Sequence, residues 1–159
     1  MQLTSPAFED MQRIPDRFTV NGEDISPPLA WSDVPEDTIE FALICDDPDA
    51  PRPDPWVHWV LYKIPGMVRE LPEGIPRKEN LAEPISCVQG RNSWPEGENI
   101  GYGGPAPPKG HGVHHYHFKL YALDEKLELE PGLTKSKLLE AIQGHTLAVT
   151  KLTGTYERN

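Results

Sequence analysis

Two stretches of the chain are almost unbroken in apolar side chains, Ile39–Cys45 (IEFALIC) and Trp56–Ile64 (WVHWVLYKI). Both are rich in β-branched, aromatic and aliphatic residues, and both are too short and too closely bounded by prolines for a long helix. They predict buried strands. A third stretch alternates. From Val113 onward, His114, Tyr116, Phe118, Leu120 and Ala122 share one face, while His115, His117, Lys119 and Tyr121 share the other. The first face begins polar and ends apolar, so the strand turns a histidine and a tyrosine into the mouth of something. The glycine/proline loop that starts at Gly103 stands at its lip. Shorter strands are expected at Arg17–Val20, Leu29–Trp31 and Ile85–Gln89, and Asn21-Gly22 permits a tight turn. One helix is predicted, capped by Thr134, apolar at Leu138, Leu139 and Ile142, and stopped by Gly144. A last alternating stretch puts Ala148, Thr150, Leu152 and Tyr156 on one side.

Several strands, one late helix and long Pro/Gly loops predict a mainly β, mostly antiparallel single domain over residues 1–159. Strand and helix do not alternate regularly, and no phosphate-binding loop of the Walker type is present, which argues against a parallel nucleotide-binding sheet. The 18 prolines are about twice the usual share. With 37% hydrophobic residues the chain still lies near the globular range, so the prolines read as loop punctuation.

Charge narrows the partners. With 25 acidic and 15 basic residues the formal net charge is −10, which disfavours nucleic acid and anionic membranes. Any anionic ligand must be held by local groups against the global field. No apolar run approaches the length of a membrane span, and MQLTSPAFEDMQRIP lacks the pattern of a secretion signal. Cys45 and Cys87 have no metal-ligand spacing and make no disulfide framework, so two buried thiols in a reducing cytoplasm are expected.

Polar chemistry gathers in three places. Asp46-Asp47-Pro48-Asp49-Ala50-Pro51 follows the first apolar strand, and its prolines restrain where the carboxylates point. By itself it reads equally well as a strand end and turn. His58 lies among Val57, Trp59, Val60 and Leu61, so its imidazole is buried and needs a polar partner. A backbone carbonyl would satisfy it; a carboxylate from the preceding loop is the partner that the neighbouring residues favour. His114 and Tyr116 form the third place, with Gly103, Gly104, Gly110 and Gly112 offering backbone amides to a small ligand. His111 need not converge on them, and His115 and His117 belong to the outer face. Two histidines beside carboxylates make protonated donors suited to a phosphate, sulfate or carboxylate. His, His and Asp are also ligand types for zinc or iron, but no tight ligand spacing occurs, and the anion reading is preferred with no metal or cofactor.

The segments DPDAP (Asp47–Pro51), WVHW (Trp56–Trp59), PPKGHGVHHYHF (Pro107–Phe118) and GHTLAVTKLTGTYER (Gly144–Arg158) resemble the phosphatidylethanolamine-binding protein family in its small bacterial and archaeal branch. That family includes the Raf kinase inhibitor proteins of animals and the flowering-time regulators of plants. The resemblance implies an antiparallel β-sandwich-like fold with a small anion pocket lined by Asp47, His58, Pro108, His114 and Tyr116, with Trp56 at the rim. His58 and His114 would donate to the anion, Asp47 would orient and charge a histidine, Pro108 would shape the loop, and Tyr116 would give a hydroxyl and a wall. Asp49, Pro51 and Gly110 would support the site. The implied ligand is phosphate, phosphorylethanolamine or a phosphorylated group on a protein or metabolite. The implied role is binding, or inhibition of a kinase or protease, with no established catalytic reaction and with homodimerisation plausible. A metal-assisted or acid/base hydrolase using the same histidines is the competing reading. Two positions depart from the branch: Ala106 stands where prokaryotic members commonly carry cysteine, and His115 where arginine is frequent.

Overall fold

The apolar run that ends at Asp47 forms β4 (Glu40–Asp47), and all of its residues are buried. Burial on both faces is uncommon for an antiparallel strand. Its cause here is position: β4 is central in a seven-stranded sheet, flanked by β5 (Trp56–Pro65) and β9 (His114–Leu123). Beyond β5 come β8 (Cys87–Gln89) and β7 (Asn80–Leu81); beyond β9 come β10 (Thr146–Tyr156) and β2 (Gln12–Arg13). Every pairing is antiparallel except that of β10 with β2. A second sheet of β1 (Gln2–Thr4), β3 (Leu29–Ser32) and β6 (Glu70–Leu71) packs on one face, and α1 (Lys135–Ile142) covers part of the other. This computed structural model describes residues Met1–Asn159.

Side-chain alternation sorts β4 between two cores. Phe41, Leu43 and Cys45 join Leu3, Trp31 and Leu71 between the sheets, whereas Ala42 and Ile44 join Leu138 and Ile142 beneath the helix. The uninterrupted apolar run is therefore two period-2 patterns, each serving a different layer. On β9 the predicted inner face is buried throughout, from His114 to Ala122, while His115, His117, Lys119 and Tyr121 are half-buried. Thr134 caps α1 by accepting a hydrogen bond from the Lys137 amide at 3.3 Å, and Gly144 ends the segment at φ +84°. The mainly β, sandwich-like architecture and the single late helix agree with the sequence reading.

Two expected strands differ. Arg17–Val20 does not extend a sheet; Asp16–Phe18 forms a 3₁₀ turn. The Phe18 amide donates to the Pro15 carbonyl and the Thr19 amide to Asp16, both at 3.0 Å, so local bonds consume the groups that a ladder would need. Tyr156 anchors this turn by donating to Asp16 at 2.6 Å and accepting from Asn21 at 2.9 Å. The Asn21-Gly22 turn is real, and a Cβ at Gly22 would meet the Asp16 carbonyl at 2.2 Å. The strand expected at Ile85–Gln89 begins only at Cys87, because Leu81 pairs with Cys87 and residues 82–86 are spent on the connection. The short strands β1, β2, β6 and β7 escape prediction because two or three residues carry no measurable period.

Cys45 and Cys87 are free and buried. Burial pushes both thiols up, that of Cys87 to about 11, so neither supplies a thiolate near neutral pH. No helix is long and apolar enough to cross a membrane.

Leu120, fully buried between the sheets, sets the scale of core packing. Leu120→Ala is expected to lower unfolding free energy in urea by about 2–5 kcal/mol. Val149→Ala, at a side chain 54% exposed, is expected to stay within about 0.5 kcal/mol of the parent.

Candidate functional site

Antiparallel pairing explains why three distant segments meet. The C-terminal end of β4 lies beside the N-terminal ends of β5 and β9: Asp47 is opposite Trp56, and Asp46 opposite His117. The polar residues of DPDAP, WVHW and HHYH therefore collect at one edge of the sheet. They surround a cavity of about 290 Å³, at the small end for a ligand pocket. Asp47, Trp56, His58, Pro108, His114, Tyr116 and also Pro51 line it. Asp49 and Gly110 lie outside the lining. Sequence reasoning missed Trp94, whose loop has no periodic pattern; it packs edge-on against Trp56 and His58, with ring centroids 5.4 and 5.2 Å away.

The hydrogen bonds assign different roles from those expected. Asp47, almost wholly buried, accepts from His114 Nδ1 at 2.6 Å through Oδ2 and from the Asp49 amide at 2.7 Å through Oδ1. The other nitrogen of His114, Nε2, lies 2.6 Å from His111 Nδ1, close enough that one of the two must donate. His111 thus belongs to a chain Asp47–His114–His111, although the sequence had left it outside the site. Both nitrogens of His114 are engaged within the protein.

His58 does not pair with a carboxylate. Its Nδ1 is 2.6 Å from the Gly103 carbonyl, which can only accept, so Nδ1 carries the proton. In the neutral ring, Nε2 is then a lone-pair acceptor; it makes no hydrogen bond within the protein, and His58 lines the cavity. Burial lowers the pKa of His58; the Gly103 bond and the charges of Asp47, Asp46 and Asp24 oppose that shift without cancelling it. The expected charged donor is, at rest, a neutral acceptor. Tyr116 is the complementary group. Its hydroxyl is one of three buried polar side-chain atoms without a protein partner, with Trp31 Nε1 and Thr38 Oγ1, and only Tyr116 lines this cavity. Burial and the Asp47 charge raise its pKa, keeping it a phenol that can donate.

The supporting residues brace the walls. Asp49 accepts from both the amide and Nδ1 of His115, at 2.8 and 2.7 Å, tying the DPDAP loop to β9. Burial raises the pKa of this carboxyl, but the His115 bonds outweigh it and hold the group below its ordinary value. His115, at a position where the resemblance favours arginine, is thus a structural clamp. Three of the four glycine amides expected to meet a ligand are spent elsewhere. Gly103 donates to the His58 carbonyl, Gly104 to Asp24 and Gly110 to Arg158. Gly103 and Gly104 serve close approach: a Cβ would fall 2.6 Å from the Trp94 ring and 2.5 Å from the Phe18 carbonyl. No three His, Cys, Asp or Glu side chains converge as metal ligands.

Fold and cavity together define a two-sheet β-protein with one small aromatic-walled pocket at the polar ends of adjacent strands. The model of the phosphatidylethanolamine-binding protein family matches residues 4–157, and the chain belongs to that family. A UPF0098 protein of Methanothermobacter thermautotrophicus is 49% identical over 158 residues, covering 99% of both chains. Among solved structures, the phosphatidylethanolamine-binding protein homologue CT736 of Chlamydia trachomatis superposes with TM-score 0.86 at 42% identity, covering 99% of this chain and 97% of its own. Escherichia coli YbcL, a member of the same family, gives TM-score 0.88 at 32% identity, with 99% and 98% covered.

Two outcomes follow from this geometry. Gly103→Ala should displace Trp94 and destabilise the protein by about 1–3 kcal/mol, read as a change in tryptophan emission and a lower urea midpoint. For His58, the unfolded chain titrates near 6.5 and the folded state lower, so between those values the unfolded state holds more protons. This contribution to stability is complete above 6.5 and declines as pH falls. Half-buried His117 is shifted in the same direction, by burial first and by Lys151. Thermal midpoints should therefore drop on acidification below 6.5 while most carboxylates remain ionised, and His58→Asn should flatten that dependence.

Proposed function

We propose that this protein binds a small phosphate-type group, free or carried on a metabolite or protein. The observation that carries the reading is the buried Tyr116 hydroxyl, without a protein partner, in the same cavity as the unpartnered Nε2 of His58. A buried hydroxyl left without a partner costs about 1–3 kcal/mol, and a ligand oxygen would recover that cost. The cavity has room for a phosphate or a phosphorylated head group, and the Trp56 and Trp94 rings shape its walls. The Arg52 guanidinium lies 5.2 Å from the centroid of the Trp56 ring, outside the cavity lining. Family membership supports a ligand of this class, since a phosphatidylethanolamine head group carries a phosphate. Where the phosphorylated group sits on a protein, the same pocket would act as a regulatory docking site for a kinase or protease pathway.

Titration calorimetry with inorganic phosphate and phosphorylethanolamine tests this. Wild-type protein should bind at least one of them, and Tyr116→Phe, which removes the hydroxyl and keeps the ring, should weaken binding by about 1–2 kcal/mol. Equal affinity in wild type, Tyr116→Phe and His58→Ala would remove the site assignment, and no heat with either ligand would remove the ligand class.

A further inference from the structure

The groups around the cavity differ from those usually found around a phosphate dianion. Its lining contains no lysine or arginine. Both oxygens of Asp47 already accept, both nitrogens of His114 are bonded, and the Gly103, Gly104 and Gly110 amides are committed elsewhere. The donors left are the Tyr116 hydroxyl, the indole N–H groups of Trp56 and Trp94, and the amide of Ala106, which stands between two prolines and makes no hydrogen bond within the protein. Opposite them is one acceptor, His58 Nε2, because the Gly103 carbonyl holds the only proton of the neutral ring on Nδ1. A dianion oxygen placed against Nε2 would meet a lone pair, with a carboxylate behind it.

Resting on the phosphate reading, we infer that the pocket binds a phosphate monoester together with one proton, held between a ligand oxygen and His58 Nε2, and so selects the monoprotonated group over the dianion. In that complex the P–OH donates to Nε2 while the remaining oxygens accept from Tyr116 and Ala106. If the proton moves onto Nε2, the balance is the same: one ligand dianion and one proton from solution enter together. The charged and titratable groups facing His58 favour this. Asp47 comes from β4, with Asp46 beside it paired to Lys135 of α1, Asp24 (paired with Arg77) from the loop after the 3₁₀ turn, and Tyr116 and His114 from β9, with His111 behind His114. The carboxylates among them make an added proton cheaper and an added negative charge dearer. Burial of the imidazole works against the carboxylates and keeps the ring neutral at rest, leaving Nε2 free to accept from the ligand's hydroxyl.

The probes are methyl phosphate and methyl sulfate, which match in shape and carry the same single charge at about pH 5, where only the phosphate retains a hydroxyl. Wild-type protein should bind methyl phosphate at least about tenfold more tightly there, the worth of a hydrogen bond to an otherwise unpartnered acceptor. Calorimetry in buffers of different ionisation enthalpy should show about one proton taken up at pH near 8, where the ester is a dianion, and close to none at pH near 5. Affinity should fall about tenfold per pH unit above the ester's own pKa near 6. His58→Asn should lose both the proton uptake and the preference over sulfate, whereas Tyr116→Phe should bind more weakly and keep both. Equal affinity for the two probes, binding at high pH without proton uptake, or a preference that survives in His58→Asn would each overturn the inference. No binding of methyl phosphate or inorganic phosphate at any pH would instead overturn the phosphate reading on which it rests. The wild-type comparison decides the matter even if His58→Asn does not fold.

Discussion

Asp47 is a nearly fully buried carboxylate at the end of the central strand, and the architecture of the pocket follows from the need to satisfy it. One oxygen takes the His114 ring proton and the other the Asp49 amide. The first bond fixes the start of β9 against the end of β4; the second turns the chain back into the DPDAP loop. Removing one partner of a buried pair typically costs about 3–5 kcal/mol, so this arrangement has little freedom. His111 extends it to the surface by closing on the far nitrogen of His114. The result is a rigid wall whose polar atoms are largely spoken for before any ligand arrives.

That commitment changes the meaning of the histidines. A cluster of imidazoles suggests a basic, donor-rich site, but bonded nitrogens are not donors to a ligand. His114 serves Asp47, His115 serves Asp49, and His58 gives its proton to a carbonyl. The atoms left without a hydrogen bond inside the cavity include a phenol and one bare ring nitrogen, and the Trp94 and Tyr116 rings stand edge-on to His58. On the proposed phosphate reading, such a small set of groups would be selective, because each mismatch would leave a polar atom unpaired. The glycines of the loop contribute indirectly. They let it pack against Trp94 and Phe18 closely enough for the Gly103 carbonyl to reach His58.

The amino-acid pattern determined the core strands, because Ile39–Cys45 and Trp56–Ile64 are short apolar runs bounded by prolines and the stretch from His114 to Ala122 alternates with the period of a strand. The polar groups at and within those strands pointed to Asp47, His58, His114 and Tyr116, while Trp56 and Pro108 came only from the resemblance to the family; all six line the cavity. Tertiary structure alone decided the partners. Whether His58 meets a carbonyl or a carboxylate depends on a loop 45 residues away, and whether His111 joins the site depends on the turn at Gly110 and Gly112, with φ +75° and +92°. Trp94 and Ala106 enter the cavity from irregular segments in which no periodicity marks an inward face. Apolar burial is additive along a strand and can be read in one dimension. The direction of a hydrogen bond is not, because it needs both partners within about 3 Å in space.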